Sequence, residues 1–328
     1  SMSGRKYKEV HAAIPAISYS QAFGEAIAQI ASEDDKIECV TAAMEIGTGL
    51  TPFTKKFPDR YIDVGIAEEH AVTYASGLAG AGKKPIVAIY STFLQRAFDC
   101  IFHDGLLQDL PIIYCMDRSG LVGPDGPTHH GVFDIPMLRM LPNIIITAPK
   151  DGNELRDLLF TATTLNKSFS IRYPKGSSRK FDIDKTPKII KVGAWEQIAK
   201  GSKVAILASG SMVAIVEDNL KTIRQILGFD PALINARFIK PLDKSMLASL
   251  PEDYDAILTM EEGCLVGGFG SAVIEYYNET GIEIKIGRMG IPDNFIEHGT
   301  RSQLLDSLDL NYMGVVKKIK IILGDMNE

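Results

Sequence analysis

The feature that most constrains this chain is the recurrence of short apolar runs rich in Val and Ile, each followed by a stretch with helical spacing. PIVAIY at 85–90, PIIYCMD at 111–117 and NIIITAP at 143–149 are apolar along most of their length instead of alternating. Strands of that kind are buried on both faces, and a parallel sheet covered by helices is what buries them. KIECVTA (36–42), RYIDVGI (60–66) and FSIRYP (169–174) read as further strands. Helical spacing falls between them, over 19–32 with Phe23, Ile27 and Ile30 on one face, and over 68–82, 92–107 and 151–165. Strand alternating with helix predicts an α/β fold with a mostly parallel sheet flanked by helices.

The pattern breaks once. Residues 176–202 are polar and read as a linker with some local strand. A second alternating unit follows, with strands expected at 203–210, 231–238, 255–263 and 282–290. Val213, Val216, Leu220, Ile223 and Leu227 form a stripe that predicts a helix, and further helices are expected over 271–279 and 312–322. At about 150 residues per domain, 328 residues fit two domains. We expect one over 18–180, a linker over 181–202 and a second over 203–328. Residues 1–17 are set aside as a linker remnant, because Ser1-Met2-Ser3 resembles the scar of a cleaved tag.

Composition removes several function classes. Thirty-five basic and 41 acidic residues give a formal charge of −6, which argues against a nucleic-acid surface. No apolar run approaches the roughly 18 residues of a membrane span. None of Cys39, Cys100, Cys115 and Cys264 stands at C-x-x-C spacing, so they read as buried, reduced thiols of a cytoplasmic protein.

In doubly wound sheets ligands bind at the carboxyl ends of strands, so the strand-to-helix junctions are where chemistry is sought. Glu68 and Glu69 fall in the first turn after RYIDVGI. They either complement the helix dipole or offer a carboxylate for proton work. Tyr90, Phe93 and Arg96 follow PIVAIY; Phe93 suits core packing or stacking on a flat heterocycle, and Arg96 suits solvent or an anion. The loop 119–134 is long and glycine-rich, gathers Asp125, His129 and His130, and its glycines predict mobility. Arg118 and Arg172 lie near two strand ends, either unrelated or converging on a phosphate. In the second unit, EEGCLVGGFG (261–270) lacks a complete G-x-G-x-x-G, and its glycines suit close helix–sheet packing.

Taken in order, DRYIDVGIAEEHAVTYASGLA, KPIVAIYSTFLQRAFD, DRSGLVGPDGPTHHGVFD and IRYPKG resemble the 1-deoxy-D-xylulose-5-phosphate synthase family of the transketolase superfamily. ARFIKPLD (236–243), EEGCLVGGFGSAV (261–273) and GIPDNFIEHGT (290–300) extend the resemblance through the second unit. It implies a pyrimidine-binding domain for thiamine diphosphate followed by a transketolase C-terminal domain. It implies condensation of pyruvate with glyceraldehyde 3-phosphate, releasing CO2. On this resemblance Glu68 hydrogen-bonds the cofactor's aminopyrimidine and manages its proton, and Phe93 stacks on that ring. Tyr90, Arg118 and Arg172 hold the substrate phosphate. Arg96, Asp125 and His129 contact cofactor or substrate.

The family's G-D-G signature, which opens its magnesium- and diphosphate-binding segment, does not occur here. The resemblance therefore implies that Mg2+ is held by an N-terminal domain or subunit missing from this chain. The chain would supply half a site and be inactive alone, in a homodimeric assembly. A β-subunit of a 2-oxo acid dehydrogenase, a split transketolase C-terminal subunit and a non-catalytic dimerisation module are the alternatives.

Overall fold

The computed structural model describes residues 17–325, so the expected remnant 1–17 lies outside the described residues except for Ile17. Six strands carry the first domain: β1 (Ile37–Thr41), β2 (Tyr61–Asp63), β3 (Lys84–Tyr90), β4 (Ile113–Asp117), β5 (Ile144–Thr147) and β6 (Ser168–Arg172). The remainder carries β7 (Glu196–Ala199), β8 (Lys203–Ala208), β9 (Ala232–Asn235), β10 (Phe238–Lys240), β11 (Tyr254–Cys264) and β12 (Lys285–Ile291). Among the described residues they form two sheets, ordered β10-β5-β6-β4-β3-β1-β2 and β12-β11-β8-β9-β7. Pairing is parallel except at β10 and β7, each antiparallel to its neighbour.

The expected α/β class follows from burial. Every residue of β4 and β6 is buried, and so is the centre of β3, which requires helices on both faces of the sheet. Each large apolar side chain among them contributes roughly 1.5–3 kcal/mol on leaving water. Local signals set the helix starts. Ser18 and Gln21 form a capping box on helix Tyr19–Ile30, and Asp151 caps Gly152–Thr164.

Two segments differ from the sequence reading. The helix expected over 92–107 is not continuous: an α-turn at Ser91–Leu94 and a 3-10 turn at Gln95–Ala97 lead through Phe98–Cys100 into a π-turn at Ile101–Leu106. The π-turn includes Gly105, where an added Cβ would stand 3.0 Å from the Tyr114 hydroxyl, so the backbone lies close to the sheet. The run 231–238 is divided between sheets. Residues Ala232–Asn235 pair with β8, whereas Phe238–Lys240 crosses to cover the edge of β5 in the first domain. Within 181–202, where some local strand was expected, β7 pairs with β9.

Candidate functional site

β2 and β3 lie on opposite sides of β1, so the connections leaving β1 and β3 diverge and open a crevice at their carboxyl ends. β3 ends on Tyr90, in register with Asp117 at the end of β4. The next residue, Arg118, takes a left-handed backbone conformation (φ 59°), and its guanidinium carbon lies 4.0 Å from the Tyr90 ring centroid. Arg118 also pairs with Asp117 at 2.9 Å and donates to the Gly47 carbonyl. Burial pushes the Asp117 carboxyl up, with Arg118 and the Ser20 hydroxyl opposing. Burial likewise raises the Tyr90 phenol, against the Arg118 charge.

The turn after β3 continues the chain of contacts. Phe93 stacks on Tyr90 at 5.7 Å between centroids, and the His129 and Phe93 rings meet in a T-shaped contact at 5.4 Å. The Arg96 guanidinium carbon lies 5.4 Å from the Phe93 ring centroid. Its Nη1 donates to both oxygens of Glu68 at 3.1 Å. Glu68 opens helix Glu68–Gly80 and is only 1% exposed. Its neighbour Glu69 is exposed and has no part in this group.

Glu68, Arg96, Phe93, Tyr90, Arg118 and His129 thus form one contiguous group. Asp125 lies on the same loop as His129 but is turned to Lys175, whose ammonium at 2.6 Å holds the carboxyl below its usual range. Arg172 is not in the group. It is 5% exposed, with Nε on Asp134 at 2.8 Å and Nη2 on the Glu262 carbonyl at 2.9 Å, and it shares no hydrogen-bond partner with Arg118. Among the described residues no cluster of three or more His, Cys, Asp or Glu side chains is placed to hold a metal ion. No helix there is long and apolar enough to cross a membrane.

Gly47, Ser20 and Asp117 were missed by sequence reasoning. The segment 43–50 follows the end of β1, so the junction rule that found Glu68 applies to it equally. Ser20 carries no such signal, because its hydroxyl reaches Asp117 only through packing.

Chemically, the group offers a buried carboxylate to accept from a ring N–H, an aromatic platform for a flat heterocycle, and a cation beside a phenol for an anion.

The transketolase pyrimidine-binding domain family matches residues 15–180, and the transketolase C-terminal domain family matches 193–315. The chain is 47% identical over 310 residues to a 1-deoxy-D-xylulose-5-phosphate synthase of Geobacter sulfurreducens, covering 94% of this chain and 48% of that protein. It is 44% identical to the Aquifex aeolicus synthase, covering 92% and 48%. The chain thus spans about half the length of these relatives. Among solved structures, one described as a split gene transketolase, inactive β4 tetramer, superposes with a TM-score of 0.83 at 27% identity, covering 94% of this chain and 99% of that one. A Pichia stipitis transketolase mutant superposes at 0.77 with 17% identity, covering 96% and 47%, a likeness of fold alone.

Proposed function

This chain belongs to the transketolase family, and from that premise we propose that it supplies the pyrimidine side of a thiamine-diphosphate site for making 1-deoxy-D-xylulose 5-phosphate from pyruvate and glyceraldehyde 3-phosphate. The observation that carries this reading is the contiguous Glu68–Arg96–Phe93–Tyr90–Arg118 group at the crevice of the first sheet. The residues fit an aminopyrimidine. A buried carboxylate now satisfied by the half-exposed Arg96 can exchange that guanidinium for a ring N–H, and Phe93 offers a flat apolar surface beside it. Thiamine diphosphate, when bound, supplies a ring carbon acid that becomes the nucleophile and an electron sink for loss of CO2.

This chain's own residues do the rest. Glu68 accepts the ring N–H and thereby sets where the cofactor's proton resides. Arg118 and Tyr90 meet the phosphate of the acceptor aldehyde, and the guanidinium fork fixes its orientation. Family resemblance gives Arg172 the same role, whereas its guanidinium here is taken up by Asp134 and the Glu262 carbonyl. Asp125 and His129 approach the substrate from the loop. The magnesium and diphosphate contacts are assigned to a separate diphosphate-binding part, as the identity to synthases twice this length supports. Ile46 and Ile66, 86% and 81% exposed beside this group, suit burial in a homodimer.

The test combines this chain with a diphosphate-binding part from a related synthase, thiamine diphosphate and Mg2+, and assays 1-deoxy-D-xylulose 5-phosphate. Product is expected, with Glu68→Ala reducing it at least about 100-fold. No product from the complemented wild-type protein would sink the reading. A split transketolase subunit is the second reading, favoured by the near-full-length match to the split gene transketolase chain. Ketol transfer between sugar phosphates, without use of pyruvate, distinguishes it.

A further inference from the structure

The loop 119–134 was expected to be mobile, yet it is fastened to the second domain at both ends. Leu121 and Val132 belong to the hydrophobic core of that domain. The Leu121 N–H donates to Glu262 at 3.0 Å, and the Cys264 N–H donates to the Val132 carbonyl at 2.9 Å. Glu262 is in turn held by Arg301 Nε at 2.9 Å and by the Ser211 hydroxyl at 2.6 Å. These groups stand at the carboxyl ends of β8 and β11, where the second sheet would otherwise present its own crevice. The loop fills it.

Between the two ends one side chain makes the connection, beside a backbone bond from the Gly299 N–H to the Gly123 carbonyl at 3.5 Å. His130, 4% exposed, accepts the Val122 N–H at Nδ1 (3.1 Å) and places Nε2 3.3 Å from the carbonyl of Glu297 in the second domain. A ring that accepts at Nδ1 and donates at Nε2 is the neutral Nε2–H tautomer. Beside it Gly126, at φ +73°, packs against His298, where an added Cβ would stand 3.3 Å from the His298 Cβ. The residues the loop presents are His129, against Phe93, and the exposed Asp125.

We propose that His130 is a positioning residue: by joining the loop's own backbone to the Glu297 carbonyl of the second domain, it sets the placement of His129 against Phe93 and of Asp125 farther along the same loop. The second domain is on this account a support for the first domain's site. The effect on turnover rests on the reaction proposed above; the anchoring of the loop does not.

The decisive pair of variants is His130→Leu, which removes both hydrogen bonds, and His130→Gln, whose carboxamide keeps an acceptor and a donor separated by one carbon, as in the imidazole. Amide hydrogen exchange on this chain should show residues 120–131 opening at least about 10-fold more in His130→Leu, with helix 19–30 and strand 84–90 unchanged and His130→Gln near wild type. Unchanged protection of 120–131 in His130→Leu would overturn the proposal. So would equal loss in both variants, or loss spread evenly over the molecule. In the complemented enzyme kcat should fall about 10- to 100-fold in His130→Leu and recover within about threefold in His130→Gln, since small misplacement of reacting groups has effects of that size. Full turnover by His130→Leu would overturn it too. If the wild-type protein forms no product, the proposed reaction fails while the exchange result still decides the positioning role.

Discussion

At the residue scale the tightest fit is at Gly47, where an added Cβ would stand 1.8 Å from the Tyr90 hydroxyl. Gly47→Ala must therefore push the phenol away from its place beside Arg118. We expect a loss of about 1–3 kcal/mol in urea unfolding, and in the complemented enzyme a rise in KM for the phosphorylated acceptor larger than the fall in kcat. Glu261 carries a second residue-level prediction. It accepts from the Phe269 and Gly270 N–H groups at 2.8 Å, capping helix Phe269–Thr280 from the neighbouring strand, and burial raises its carboxyl from 4.5 to about 7. Between these values the folded protein keeps a proton that the unfolded chain has released, so stability falls as pH rises from about 4.5 to about 7 and then levels. The full change is on the order of 3 kcal/mol. Glu261→Gln should flatten this slope, as urea titrations at pH 5 and pH 8 would show; an identical slope would refute the assignment. Glu68 was legible in the sequence because a strand end followed by a helix start places a side chain at a crevice. Glu261 was not, because its partners lie eight and nine residues ahead across a turn whose shape only packing sets.

At the scale of elements, the strand Phe238–Lys240 shows where pattern reading stops. The run 231–238 is nearly continuous in apolar character, so it reads as one strand; nothing local says that its end leaves one sheet for another. The crossing is held by Trp195 Nε1, which donates to the Phe238 carbonyl at 2.8 Å, and by Lys240, whose ammonium donates to the Arg139 and Leu141 carbonyls at the end of helix Asp134–Arg139. Lys240→Met should remove those bonds at a loss of about 1–3 kcal/mol, read as a lower urea midpoint with unchanged slope. The interrupted helix over 91–106 has the same origin. Its residues favour a helix, but Gly105 lets the backbone approach Tyr114 so closely that regular α-geometry gives way to a π-turn.

At the scale of the whole molecule the two domains are joined by more than a linker. The first contributes Leu121 and Val132 to the second's core, and the second contributes an edge strand to the first's sheet. We therefore expect one cooperative calorimetric transition, with van't Hoff and calorimetric enthalpies in agreement; two resolved transitions would contradict the exchange of elements. The sequence by itself determined the α/β class, the twofold alternation of strand and helix, and which junctions carry Glu68, Tyr90, Phe93, Arg96 and Arg118. Those properties follow from the spacing of apolar residues and from the rule that strand ends open onto crevices, both local in the chain. Only the tertiary structure decided that Arg172 lies buried between Asp134 and the Glu262 carbonyl, that Asp125 turns to Lys175, and that the 119–134 loop is held by residues more than 130 positions away. Each of these depends on which buried polar group finds its partner when distant segments meet, and hydrogen-bond satisfaction across a packed interface leaves no periodic trace in the residues that achieve it.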